Sequence, residues 1–332
     1  MALGITYACM IKDLSVYLPD RIVSNEEIEA NHPGLPKGSL QRLFGLSTRH
    51  YAAPGEQVSD MAARAALPIL ERHGTADIDF LIFASACSDL IEPATANIVQ
   101  EKLGLACPAM DIKNACNSFT TGLMTASQLI ASGMCRRVLV VNGEKLSDAV
   151  RPFTTDGQQL LQHLAAFSFG DAGAAALVCA PDNGSGFVAQ QFHTLGQHWR
   201  LCTIPGGGSL HPHDADKLYF EGQTAQLKEV MTEAAAGFFH DCLSRAGWSP
   251  SDVKHLFTHQ VSADTIRLIS RMTQVSPEKV EDSFAEIGNT AAASIPIVIH
   301  RRLTNGSLHR GDKVVLLGLA AGVSISVQLL IW

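Results

Sequence analysis

A duplicated, layered α/β fold is what the sequence predicts, on three observations. Strand-like apolar runs alternate with helical segments along the chain, the pattern of sheets covered by helices. DIDFLIFASACSD at 77–89 aligns without gaps on DVKHLFTHQVSAD at 252–264, placing Asp77 on Asp252, Leu81 on Leu256 and Asp89 on Asp264. Further along, RRVLVVNGE at 136–144 parallels DKVVLLGLA at 312–320, each copy preceded by a helical stretch ending near a glycine, Gly133 and Gly306.

The repeat is about 175 residues long, beyond any solenoid unit. It predicts two similar halves packed about a pseudo-two-fold axis. The turn-rich PDNGSG at 181–186 marks the junction, giving an N-terminal half over 1–182 and a C-terminal half over 183–332. In the first half the ERHGTA turn leads into the strand of 77–89, AMDIK forms a short strand, and a long apolar helix follows over 118–132. In the second half SRAGWSPS plays the part of that turn, and GNTAAASIPIVI at 288–299 enters a helix as NACNSFTTGL at 114–123 does. The uncharged stretch 314–332 is nearly long enough to span a bilayer. Gly318 and Gly322 interrupt it, and V-S-I-S-V-Q-L alternates with the period of a strand. It predicts two buried strands joined by a glycine-containing turn, and no membrane span.

Composition narrows the function. The chain has 332 residues, 46% hydrophobic and 17% charged, with a net charge of −7 and scattered basic residues. A polyanionic partner such as nucleic acid is not expected. The eight cysteines, at 9, 87, 107, 116, 135, 179, 202 and 242, include no C-x-x-C pair, so neither a zinc knuckle nor a thioredoxin motif is present. A reducing cytoplasm suits them. His211, His213 and Asp214 have metal-ligand chemistry but lack a closing ligand, and Gly206–Gly208 lacks the strand and helix of a phosphate cradle. No metal or cofactor is expected.

Three side chains combine into a candidate site. Cys116 follows a strand and precedes the apolar helix, where the helix dipole and unpaired N–H groups favour a thiolate. A thiolate attacks thioesters, and its product is another thioester ready for a second transfer. His259 follows an apolar strand in LFTHQVS, and ligands gather at the carboxyl ends of such strands. Asn289 opens the second helix, at the place the repeat assigns opposite Cys116. A papain-like protease also orders Cys, His and Asn, but carries its cysteine near the N-terminus in C-G-S-C-W, which is absent here.

Seven stretches then carry a resemblance: YLPDRIVSNEEIE (17–29), FGLSTRHYA (44–52), EPATANIVQEKLG (92–104), DIKNACNSFTTGL (111–123), FSFGDAGAAALV (167–178), His259–Gln260, and GNTAAASIP (288–296). In this order they resemble the β-ketoacyl-acyl-carrier-protein synthase III group of the thiolase superfamily over nearly the whole chain. The resemblance implies a homodimer, a five-layered αβαβα thiolase fold, acyl-CoA or acyl-carrier protein as substrate, and the triad Cys116, His259 and Asn289. Cys116 would take the acyl group, with the backbone N–H groups of Cys116 and Ala321 as oxyanion hole. Neutral His259 and Asn289 would hold the enolate of a second thioester in a Claisen condensation.

Departures from the family pattern redirect the expectation away from housekeeping fatty-acid initiation. Asp264 stands where those enzymes place an arginine for the carrier protein. The adenine-stacking tryptophan and arginine fall at Ser39 and within DGQQLLQHLAAF, and the C-terminal glycine triplet reads L-A-A-G. Glu92 replaces an aromatic that reaches across the dimer. That glutamate, with HQVS and the terminal tryptophan, is similar to the olefin-pathway thiolases that condense two acyl-CoAs, where it is the proposed base. The amphipathic QQLLQHLAAFSF predicts a longer acyl tunnel, with Phe153, Leu160, Leu164 and Phe167 as candidate lining. Two other functions stand beside this one: transfer of the acyl group to a hydroxyl or amine, and a non-catalytic subunit of a heterodimeric synthase, which usually lacks the nucleophile. Retention of all three triad residues favours condensation.

Overall fold

A computed structural model describes residues 9–152, 157–181 and 184–332. Two sheets form its framework. The first has five strands in the order Met10–Tyr17, Asp171–Cys179, Arg137–Lys145, Phe80–Ala84, Ala109–Ile112. The second has four, in the order Gly186–Thr194, Ser324–Ile331, Lys313–Ala320, His255–Thr258. In each, the first three strands run antiparallel in succession and the next joins in parallel. Where the second sheet would have its fifth strand, a single parallel bridge joins Leu256 to Val280. The strand order is therefore repeated, with one strand eroded. The junction expected at 182/183 falls outside the described residues.

Both faces of each sheet are apolar, which is why the strands read as continuous hydrophobic runs. In the first sheet Ile82, Val138 and Val140 face one core, while Leu81, Phe83, Leu139 and Val141 face another. The outer core is closed by the helix Val58–His73 through Met61, Ala65, Ala66 and Ile69. Its start is fixed by the reciprocal Gln57–Asp60 capping box, and it ends at Gly74. In the second sheet Leu256, Val315 and Leu317 face outward against the helices Thr224–Arg245 and Ala263–Thr273. The inner faces of both sheets meet two central helices, Ser118–Ala131 and Ser294–Thr304, through Phe119, Leu123, Ile295 and Val298. Helices, sheet, central helices, sheet, helices: these are the expected five layers.

The last stretch of chain forms the two buried strands expected of it, Lys313–Ala320 and Ser324–Ile331, turning at Gly322 with φ 76°. No helix among the described residues is long and apolar enough to cross a membrane.

Candidate active site

Both central helices begin beside the ends of parallel strands, and the site forms between their N-termini. After the strand Ala109–Ile112 the chain turns through Ala115 at φ 45°, passes Cys116, and enters the helix at Ser118. A left-handed alanine persists where its surroundings over-determine it, and here they do. Asn117, fully buried, donates through Nδ2 to the carbonyl (2.9 Å) and hydroxyl (3.2 Å) of Ser324, while the Ser326 hydroxyl donates to its Oδ1 at 3.1 Å. Asn114 Nδ2 donates to Thr121 Oγ1 at 3.0 Å and Ser324 Oγ at 3.3 Å. A Cβ at Gly318 would lie 1.8 Å from Asn117 Oδ1, so only glycine allows this approach. The Cys116 loop in one half is thus laced to a strand of the other.

The Cys116 thiol is not activated by this setting in the way the sequence predicts. Burial pushes it up to about 12, with the charge of Glu144 adding to the effect. Backbone hydrogen bonds from Ala321 and from Cys116 itself pull the other way and are outweighed. Desolvation of a would-be anion exceeds what two amides and a helix end supply. Those same two amides are the pair expected to receive an oxyanion, and they converge on the sulfur.

His259 follows the strand His255–Thr258, its N–H donating to the Leu317 carbonyl at 3.3 Å. Burial drops its imidazole to about 4, against a smaller opposing effect of the Ala291 backbone. Its buried Nδ1 has no hydrogen-bond partner. The ring is neutral at physiological pH. Asn289 is clamped by its backbone, whose N–H donates to the Ser168 carbonyl at 2.8 Å and whose carbonyl accepts from Gly170 N–H at 2.9 Å. Its Oδ1 accepts from Ala291 N–H at 3.0 Å, which turns the amide NH2 the other way as a donor.

Ala291 joins the three. Cys116 packs against the small apolar cluster that contains Ala291, the Ala291 backbone meets the His259 ring, and its N–H fixes Asn289. The repeat register differs from the sequence alignment here. Ala291, at φ 44°, is the counterpart of Ala115, and each stands three residues ahead of its central helix. Cys116 therefore corresponds to Ala292, not to Asn289. The backbone turn repeats, and each half has hung a different candidate side chain on it.

The remaining candidates fall in different places. Glu92 is exposed, beside Leu90 and Ile91, which are 50% and 83% exposed on the same loop. Leu160, Leu164 and Phe167 join Val23, Leu35 and Leu40 in one apolar cluster. The cluster around Cys116 is built instead from Leu146, Ala149, Ala166, Phe169 and Ala291. Val150 touches both. Phe153 lies outside the described residues.

Sequence reasoning missed Glu144. It is fully buried, with Oε1 accepting from Ala86 N–H at 3.0 Å and Asn142 Nδ2 at 2.9 Å, while Oε2 has no hydrogen-bond partner. Burial raises its carboxyl. The signal was available: the repeat sets Glu144 opposite Ala320, so an acid stands where the other half has a methyl group.

Comparison with known proteins gives a consistent picture. The chain matches the sequence profile of 3-oxoacyl-[acyl-carrier-protein] synthase III over residues 110–196 and that of its C-terminal part over 243–332. It is 31% identical over 328 residues to the β-ketoacyl-[acyl-carrier-protein] synthase III of Desulfitobacterium hafniense, covering 95% of each chain. To the enzyme of the same name from Cereibacter sphaeroides it is 32% identical over 336 residues, covering 98% of this chain and 100% of that one. Among solved structures, the synthase III of Aquifex aeolicus VF5 superposes with a TM-score of 0.85 at 27% identity, over 98% of this chain and 100% of that one. Cerulenin-bound OleA of Xanthomonas campestris superposes with a TM-score of 0.89 at 25% identity, over 98% and 97%.

Proposed function

The chain belongs to the 3-oxoacyl-[acyl-carrier-protein] synthase III family of thiolase-fold condensing enzymes, and on that premise we propose that Cys116, His259 and Asn289 join two acyl thioesters by Claisen condensation. The observation that carries the assignment is the convergence at Ala291 of a nucleophile, a neutral imidazole and an oriented amide.

Cys116 sulfur attacks the carbonyl of an acyl-CoA or acyl-carrier thioester. A new S–C bond forms, the old thioester bond breaks, and the departing thiol takes up the proton lost by Cys116. The amides of Ala321 and Cys116 hold the tetrahedral oxyanion. A second thioester then becomes an enolate, by loss of CO2 from a malonyl group or by loss of an α-proton to a base. Neutral His259 and the Asn289 NH2 donate to its oxygen without needing to ionise. The enolate carbon attacks acyl-Cys116, the S–C bond breaks, and a β-keto thioester leaves.

Two features favour an acyl–acyl variant in a homodimer. The exposed Leu90–Ile91–Glu92 tip offers apolar surface for a second copy to cover and a carboxylate to carry into it. The likeness to OleA extends over nearly the whole chain. A cytoplasmic location suits the free cysteines and the thioester substrates. Transfer to a hydroxyl or amine would leave His259 and Asn289 without an enolate to hold.

A panel of acyl-CoAs, with and without malonyl-CoA, tests the reading by intact-protein mass spectrometry and product analysis. An acyl adduct on Cys116 followed by β-keto product is the expected result. Adducts that never yield a carbon–carbon product would transfer the assignment to a plain acyltransferase.

A further inference from the structure

We propose that Arg49 is a positioning residue for Asn289, a buried cation that holds the backbone clamp in which the Asn289 loop sits. Arg49 lies on the Thr48–Tyr51 strand of a small ribbon paired with Arg21–Ser24, and it is fully buried. Burying a guanidinium is costly unless its donors are used. Those hydrogen bonds go to carbonyls: Nη2 donates to Phe167 at 2.8 Å and Nη1 to Val23 at 3.4 Å, while Nε is unpartnered.

Phe167 opens the segment that grips Asn289. Ser168 and Gly170, next along, make the two backbone hydrogen bonds that clamp it. The approach is close on both sides. A Cβ on Gly170 would lie 2.4 Å from the Ile287 carbonyl, and one on Gly288 would lie 2.5 Å from the Ser168 carbonyl. Each would also lie 3.3 Å from Arg49 Cβ, so Arg49 is the common third member. Residues beside Arg49 hold the other flank. Ser47 N–H donates to the Ala285 carbonyl at 2.7 Å, and Thr48 Oγ1 to the Glu286 carbonyl at 2.9 Å.

The Cys116 loop is held by a separate set: Asn114, Asn117, Ser324 and Ser326. A disturbance at Arg49 therefore bears first on the condensation step, and meets Cys116 only through the packing of Ala166 and Phe169. The inference rests on Asn289 acting in condensation. Misplacing a reacting group by about 1 Å can cost about a hundredfold in rate.

The test separates the two half-reactions in the full-length protein, with loading of Cys116 by an acyl-CoA read by mass and product formation read from the pre-loaded enzyme. Arg49→Lys keeps the charge but cannot span both carbonyls. It is expected to slow condensation about ten- to a hundredfold while loading stays within about twofold. In an Asn289→Ala background the same change is expected to cost less than about twofold. Thr48→Val removes only the tether to Glu286 and should give the same split at about threefold, a second route if Arg49→Lys folds poorly. Equal losses in both backgrounds, or loading that falls with condensation, overturn the role of Arg49 alone. An Asn289→Ala enzyme that condenses at the parent rate overturns the assignment of Asn289, and this inference with it.

Discussion

Ala115 and Ala291 stand in corresponding turns of the two halves, with φ angles of 45° and 44°, each three residues ahead of a central helix. A non-glycine residue there stores about 1–3 kcal/mol of strain. One turn aims Cys116. The other fixes Asn289 and meets His259.

Valine at either position adds a β-branch to a left-handed backbone. Ala115→Val and Ala291→Val should each destabilise the fold by about 2 kcal/mol, measurable by urea unfolding. Their kinetic effects should part: Ala115→Val slows loading of Cys116, while Ala291→Val slows condensation of an enzyme already loaded. If both slow the same step, the two turns do not serve separate functions.

The framework was legible because strands apolar on both faces read as uninterrupted runs, and Phe80–Ala84 and His255–Thr258 repeat at the expected spacing. The candidate site was legible as residue types, less so as geometry. The pairing of Cys116 with Asn289 missed by three positions because backbone φ at an alanine leaves no mark in sequence, as a glycine would. Leu160, Leu164 and Phe167 show the periodicity of burial, but periodicity does not say which cluster a side chain enters. Glu144 was read only as the end of a repeated strand, and Arg49 only as part of a family stretch. Both act through burial, a property of the assembled layers.

His259 predicts a pH dependence with a definite sign. Its imidazole falls to about 4 in the fold, from about 6.5 in the unfolded chain. Between those values the unfolded chain binds more protons, so stability is complete above about pH 6.5 and is lost as pH falls toward 4. The loss amounts to about 3 kcal/mol. Asp171, which burial raises to about 6, works in the opposite direction over much of this window. The comparison with His259→Gln isolates the histidine. That variant should lose about 3 kcal/mol less than the parent between pH 7.5 and 4 in denaturant titrations. Parallel curves for the two proteins would place the imidazole in water.

Glu144 predicts an effect on the nucleophile without contact with substrate. After burial, its charge is the largest cause of the high Cys116 thiol pKa, and an amide of the same shape removes that charge. Glu144→Gln should therefore lower the thiol pKa and speed alkylation of Cys116 by iodoacetamide about three- to tenfold at pH 8. The gain should shrink above the parent's pKa. An unchanged rate across the pH range would show that the carboxyl exerts no field on the sulfur.

Glu92 predicts the division of labour between two copies. In the single chain it is exposed and takes no part in the cluster around Cys116. A role as base then requires delivery into a second subunit, beside the thioester held there. Glu92→Gln keeps the shape and removes the base. It should leave loading of Cys116 within about twofold of the parent and reduce condensation of two acyl-CoAs by about a hundredfold or more. Malonyl-CoA supplies its carbanion by losing CO2 and should be spared. Mixing Glu92→Gln with Cys116→Ala subunits then sharpens the test, because one of the two sites in a mixed dimer would pair an intact Cys116 with an intact Glu92. Recovery of acyl–acyl condensation in the mixture places the base across the interface; wild-type condensation by Glu92→Gln alone would remove it from the reaction.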